Sequence, residues 1–237
     1  MTNTQRCGAN AGKYPESRGR AHCRRRPAAM GLAGLLAFAC LIFVVARACW
    51  GRAERTVLDP TSWNLRLTNR WNPIPQGYAP TLKEVPGGEQ VDERIYQPLM
   101  ELLEAAREGN WGEPPRVESG FRTEEVQQSL YDEKISEYQN EGYSPDEARE
   151  LAGQWVAVPG TSEHQLGLAV DLSGETWEVY DWLRENSYKY GFIFRYPSDK
   201  TAVTGVAEEV WHYRYVGVEA ATEMYEQGLC LEEYMEN

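Results

Sequence analysis

Cysteine and histidine are scarce in this chain of 237 residues, and where they fall excludes more than their number does. Four of the five cysteines (Cys7, Cys23, Cys40 and Cys49) lie in the first 50 residues, leaving Cys230 alone near the carboxyl end. An internal disulfide framework is therefore excluded, and no C-x-x-C pair is present for metal or redox work. Basic charge is also short. The first 50 residues hold eight of the 24 Lys and Arg but only Glu16 of the 36 acids, so sixteen bases face thirty-five acids afterwards, a balance of −19. A body this acidic lacks the basic footprint that nucleic acid needs, so no nucleic-acid partner is expected. Internal repeats and low-complexity tracts are missing too. What is present is a 42% hydrophobic composition with 8 Trp and 14 Tyr, which excludes a disordered, collagenous or multi-span membrane chain. The length fits one catalytic domain with an appendage.

The appendage is amino-terminal. Arg18, Arg20, Arg24, Arg25 and Arg26 precede an uncharged run at 27–46, PAAMGLAGLLAFACLIFVVA. Twenty helical residues span ~30 Å, the hydrocarbon thickness of a bilayer, and upstream arginines hold the preceding segment in the cytoplasm. The expected organisation is a basic cytoplasmic tail at 1–26, a transmembrane signal-anchor at 27–46, a stalk at 47–68 and an extracellular domain at 69–237. Cleavage near Ala46-Arg47-Ala48 would instead release a secreted protein.

From Gly51 to about Gly88 the chain is rich in Pro, Asn and Gly and shows no sustained helical period, which predicts a stalk running into a loop-like arm carrying aromatics. Residues 92–107 place Ile95, Leu99, Leu102, Leu103 and Ala106 at helical spacing, with Pro98 inside the pattern. Further helices are expected at 124–140 behind a Thr123 cap, from Pro145 behind a Ser144 cap, at 176–186 and at 219–227. Strands are expected at 116–119, 168–172, 191–196 and 211–216. Helices come first and strands cluster late without repeated βαβ units, so the fold class is α+β: a small, mainly antiparallel sheet with helices packed on one side.

Beyond the amino-terminal segment only two histidines exist, His164 and His212, each close to acids. Catalytic zinc takes three protein ligands from His and carboxylate and keeps a fourth position open. With two histidines available the third ligand must be acidic. Asp171 suits that place because it ends the apolar run Leu168-Ala169-Val170, where an unpaired carboxylate is costly. Seven residues separate it from His164, which on a continuous strand would put the two on opposite faces, so the chain must turn between them, at Gly167. Glu209 lies three residues before His212, on the loop entering that strand, where it can serve as general base. Glu208 is its rival by position.

At these residues the chain resembles the VanY-type D-alanyl-D-alanine carboxypeptidases, zinc metallopeptidases of bacterial cell-wall metabolism. Four ordered blocks carry the resemblance: SGFR at 119–122 with Gln127 five residues on, PGTSEHQLGLAVD at 159–171, GFIFRYP at 191–197 and EVWHYRYVG at 209–217. An arm containing NPIP at 72–75 extends it. Val210 departs from the family, which commonly has Pro there. The resemblance implies zinc on His164, Asp171 and His212, Glu209 as base, Arg122 stabilising the oxyanion, and Gln127 and Ser162 contacting the peptide end. It implies removal of the terminal D-Ala from peptidoglycan stem peptides outside the membrane. An L,D-carboxypeptidase or an endopeptidase on the same scaffold, and a cell-wall binding module without turnover, are the alternatives.

Overall fold

The computed structural model describes residues 62–109 and 115–236. The expected tail and signal-anchor lie outside these residues, as does the stalk except for 62–68. No helix among the described residues is long and apolar enough to cross a membrane.

The arm opens with a 3-10 turn at Trp63–Leu65 and bends at Asn69, whose Oδ1 accepts from the backbone N–H groups of Trp71 and Asn72. It then forms an antiparallel hairpin of β1 (Leu82–Glu84) and β2 (Gln90–Asp92), where a loop without strands was expected. Two strands of three residues, LKE and QVD, are too short and too polar to show a period of two in the sequence. Asp92 then caps α1 (Glu93–Glu108) by accepting from the Arg94 N–H at 2.9 Å. Ile95, Leu99, Leu102 and Ala106 form its buried stripe, and Pro98 sits inside the helix without ending it.

The main sheet contains β3 (Arg116–Ser119), β4 (Ala169–Ser173), β5 (Phe192–Phe194) and β6 (His212–Tyr215), in the order β3-β4-β6-β5 with every pair antiparallel. Between β3 and β4 the chain makes a helical hairpin. Thr123 caps its first arm, α2 (Glu124–Asn140), and a Ser144/Glu147 capping box with Pro145 in the first turn starts its second, α3 (Pro145–Ala152). The remaining helices are α4 (Trp177–Asn186), α5 (Thr201–Thr204), α6 (Val218–Gln227) and α7 (Leu231–Glu236).

Strand alternation divides the sheet into two faces. Val170, Leu172, Phe192 and Tyr213 point into the main core with Leu99 and Leu102 of α1 and with Val179 and Leu183 of α4. On the other face Ile193 joins a second apolar cluster with Val216, Ala220, Ala221, Met224 and Leu231. Helices therefore cover both faces, which corrects the expectation of helices on one side. The short β5 sequence, FIF, is apolar on both faces and needs cover on each. Asp171 and His212 share this second face, and the register sets them opposite one another, with Ser119 of β3 opposite Asp171 on its other edge.

Candidate metal centre

His164 reaches Asp171 by the turn that the residue count demanded. It lies in a 3-10 turn, Glu163–Leu166, closed by Gly167 at φ 73°. A side chain there would be strained by that φ and would meet the Asp92 backbone nitrogen at 3.0 Å. The turn brings His164 Nε2 to 3.3 Å from Asp171 Oδ1, while His212 Nδ1 approaches the same oxygen at 3.1 Å. The two imidazoles stand nearly perpendicular, with ring centroids 4.9 Å apart.

The donor set fits a tetrahedral cation. Bonds of 2.0–2.1 Å separate neighbouring ligand atoms by about 3.3 Å, matching both contacts to Asp171, and one ligand atom from each of the three residues lies within 4.8 Å of the others. His164 Nε2 is buried and has no hydrogen-bond partner, although Nδ1 of the same ring lies 2.7 Å from the Gly120 carbonyl. A buried ring nitrogen without a well-formed hydrogen bond is costly unless something binds it. Position 120 has to be glycine for the chain to run this close, since a Cβ there would come within 2.2 Å of the Gln90 carbonyl oxygen. Burial by itself would raise the Asp171 carboxyl, but His164 and His212 face it and hold it well below the usual carboxylate range. Its other oxygen accepts from Arg122 Nη2 at 2.6 Å, and Arg122 Nε donates to Ser119 Oγ at 2.8 Å.

The centre lines a cavity of about 200 Å³ together with Arg122, Gln127, Trp155, Ser162, Glu209 and Trp211. Glu209 is buried on the turn before β6, with Oε2 3.7 Å from His212 Nδ1, while Glu208 is exposed. Burial pushes the Glu209 carboxyl up to about 7, assisted by Asp171 and opposed by His212. Gln127 is fully buried; its Nε2 donates to the Ala157 carbonyl at 2.8 Å, and its Oε1 has no partner. Ser162 is buried at the start of the His164 turn without a side-chain cap bond. All seven expected site residues thus meet at one cavity.

Residue patterns missed what supports the centre from behind. Glu163 Oε2 lies 3.5 Å from His212 Nε2, and its Oε1 accepts from Arg195 Nε and Arg214 Nη1, both at 2.9 Å. Burial would raise the Glu163 carboxyl, yet the two guanidiniums outweigh it and hold the group below its ordinary range. Arg195 carries the network on to Glu232 of α7. The one signal for it in the sequence was two arginines inside otherwise apolar strand patterns, with nothing to name their partners.

The family model for VanY, D-alanyl-D-alanine carboxypeptidase, matches residues 88–218. A D-alanyl-D-alanine carboxypeptidase of Enterococcus faecalis is 55% identical over 182 residues, which cover 75% of this chain and 67% of the relative. Among solved structures, a mutant of the vancomycin resistance D,D-pentapeptidase VanY from a VanB-type cassette, in complex with Zn(II), is similar with a TM-score of 0.70 and 56% identity, over 73% of this chain and 99% of that one. VanYB in complex with D-Alanine-D-Alanine is similar with a TM-score of 0.71 and 54% identity, over 74% of this chain and 98% of that one.

Proposed function

The chain belongs to the VanY family of D-alanyl-D-alanine carboxypeptidases, and from that membership we propose how its own residues perform the reaction. It is a zinc-dependent carboxypeptidase acting on peptidoglycan stem peptides, from which it removes the terminal D-Ala. In our reading His164, Asp171 and His212 hold the zinc. The observation that carries this assignment is the convergence of His164 Nε2, buried and without a well-formed hydrogen bond, with Asp171 Oδ1 and His212 Nδ1, so that one ligand atom from each residue lies within 4.8 Å of the others. When bound, zinc supplies the Lewis acidity that makes water nucleophilic near neutral pH and polarises the scissile carbonyl.

Glu209 takes a proton from the attacking water as the new C–O bond forms, and returns it to the departing nitrogen as the C–N bond breaks. Arg122 spends Nε and Nη2 on Ser119 and Asp171, which leaves donors on its third nitrogen for the oxyanion. Gln127 and Ser162 line the cavity and are assigned to the peptide end. Purified protein should bind one zinc and release one D-Ala from a pentapeptide stem, while ignoring the same peptide amidated at its carboxyl end. Preference for the tetrapeptide would make it an L,D-enzyme, cleavage of the amide an endopeptidase, and an intact pentapeptide with zinc bound would overturn the catalytic reading.

The substrate class supports an exported body, held at the membrane by residues 27–46 behind their arginine cluster. Protease added to intact cells should remove the body. Protection of the body, or its complete release into the medium, would refute the anchored arrangement.

A further inference from the structure

We propose that Glu163 is a positioning residue that fixes the tautomer of His212, so that Nδ1 of this ring turns a lone pair to the zinc. The inference rests on the reading of His164, Asp171 and His212 as the ligands.

The two histidines face the centre through different nitrogens: His164 through Nε2 and His212 through Nδ1. Each ring must therefore carry its proton on the nitrogen turned away, and an acceptor there decides which tautomer is present. For His164 the acceptor is the Gly120 carbonyl, 2.7 Å from Nδ1. For His212 the acceptor recorded among the described residues is Glu163 Oε2, 3.5 Å from Nε2. That separation is longer than an ordinary hydrogen bond, so its effect on the ring is electrostatic: a carboxylate oxygen, an acceptor only, favours an N–H over a lone pair facing it.

A carboxylate can make this choice only if it cannot turn away, and the structure pins Glu163 through its other oxygen. Oε1 accepts from both Arg195 Nε and Arg214 Nη1, and all three side chains have 0% exposure. Each arginine is fixed in turn. Arg195 forks onto both oxygens of Glu232 at 2.9 and 2.7 Å, and Arg214 Nη2 donates to the backbone carbonyls of Asn64 and Arg66. Asn69 closes the chain with a bond to Glu232 Oε1 at 3.1 Å. Two carboxylates balance two guanidiniums, so the network is neutral as a whole and rigid around the single oxygen that faces His212.

Division of labour between the two oxygens makes Glu163→Gln a sharp test. Guanidiniums are donors only, so the amide must keep its carbonyl oxygen at the Oε1 position. Its NH₂ then stands opposite His212 Nε2 and donates to it, which moves the ring proton to Nδ1 and closes the face the zinc requires. Zinc affinity, measured by competition with a chromogenic chelator, should fall by roughly 10- to 100-fold. Glu232→Gln removes one negative charge from the same network but leaves Glu163 Oε2 in place, and should keep wild-type zinc affinity. Equal zinc loss in the two variants would mean that only charge balance matters and would overturn the proposal, as would wild-type affinity in Glu163→Gln. Should Glu163→Gln fail to fold, the wild-type protein decides. That protein is first stripped of zinc and ¹⁵N-labelled at histidine, at a pH high enough for His212 to be neutral, because bound zinc would itself force the proton away from Nδ1: a ring proton on Nε2 then supports the assignment, and a proton on Nδ1 refutes it. His164→Ala separates this failure from failure of the ligand set: zinc loss there with retention in Glu163→Gln rejects only the positioning role, whereas retention in both rejects the ligands.

Discussion

Replacing Arg122 by alanine should damage the enzyme in two separable ways, because its guanidinium serves two groups. Nη2 meets Asp171 Oδ2 at 2.6 Å and Nε meets Ser119 Oγ at 2.8 Å, with the Arg122 and Asp171 side chains only 18% and 15% exposed. Removing a charge-assisted partner from behind a metal ligand lowers metal affinity by roughly 10- to 100-fold, or about 1.4–2.8 kcal/mol at 1.4 kcal/mol per tenfold. Loss of a donor to the oxyanion lowers kcat by a further ~10²–10³-fold. Chelator competition measures the first loss. D-Ala release at saturating zinc isolates the second, since added metal restores occupancy but not the missing donor. Arg122→Lys restores a point charge without the planar fork, so it should recover part of one function and not both. Unchanged zinc affinity in Arg122→Ala, together with a loss confined to KM, would refute both duties and leave Arg122 as a contact for bound substrate.

Two other outcomes follow from the same geometry. Glu209→Gln should keep its zinc while kcat falls by roughly 10²–10⁴-fold, the usual worth of a general base; Glu208→Gln should be silent because that side chain is exposed, and zinc loss in Glu209→Gln as severe as in His164→Ala would make Glu209 a ligand. Glu232 should stabilise the fold in a pH-dependent way. Burial raises its carboxyl, but Arg195 overrides this and lowers it in the folded state, so its contribution is present above the ordinary carboxylate range and is lost as pH falls through the lowered folded value. Urea midpoints of wild type and Glu232→Gln should therefore differ most near neutral pH and converge in acid; a gap that widened in acid would reverse the sign.

The groups that meet at the candidate site were legible in the sequence because so few residues could supply them. With two histidines after the amino-terminal segment, a three-ligand site had to recruit an acid, and Asp171 stood at the end of an apolar run. The parity of seven residues required a turn between His164 and Asp171, and Gly167 makes it at positive φ. Helix boundaries were legible wherever a cap marked them, as at Thr123 and Ser144, because a cap acts within three residues of its own position. The hairpin at 82–92 was not legible, since strands this short and polar leave no periodic trace.

Only the tertiary structure decided the rest, because each remaining feature joins residues far apart in the chain. The β4–β6 register places Asp171 opposite His212, and a slip of one residue would turn one of them to the other face. Counting could not separate Glu208 from Glu209, whereas the fold buries Glu209 at the cavity and leaves Glu208 exposed. Glu163 meets His212 across 49 residues and Arg195 meets Glu232 across 37. Composition and spacing name the groups able to hold a metal, since those depend on side-chain chemistry. Which nitrogen of a ring faces the metal, and which carboxylate stands behind it, depend on how strands and helices pack, and local sequence carries no record of that.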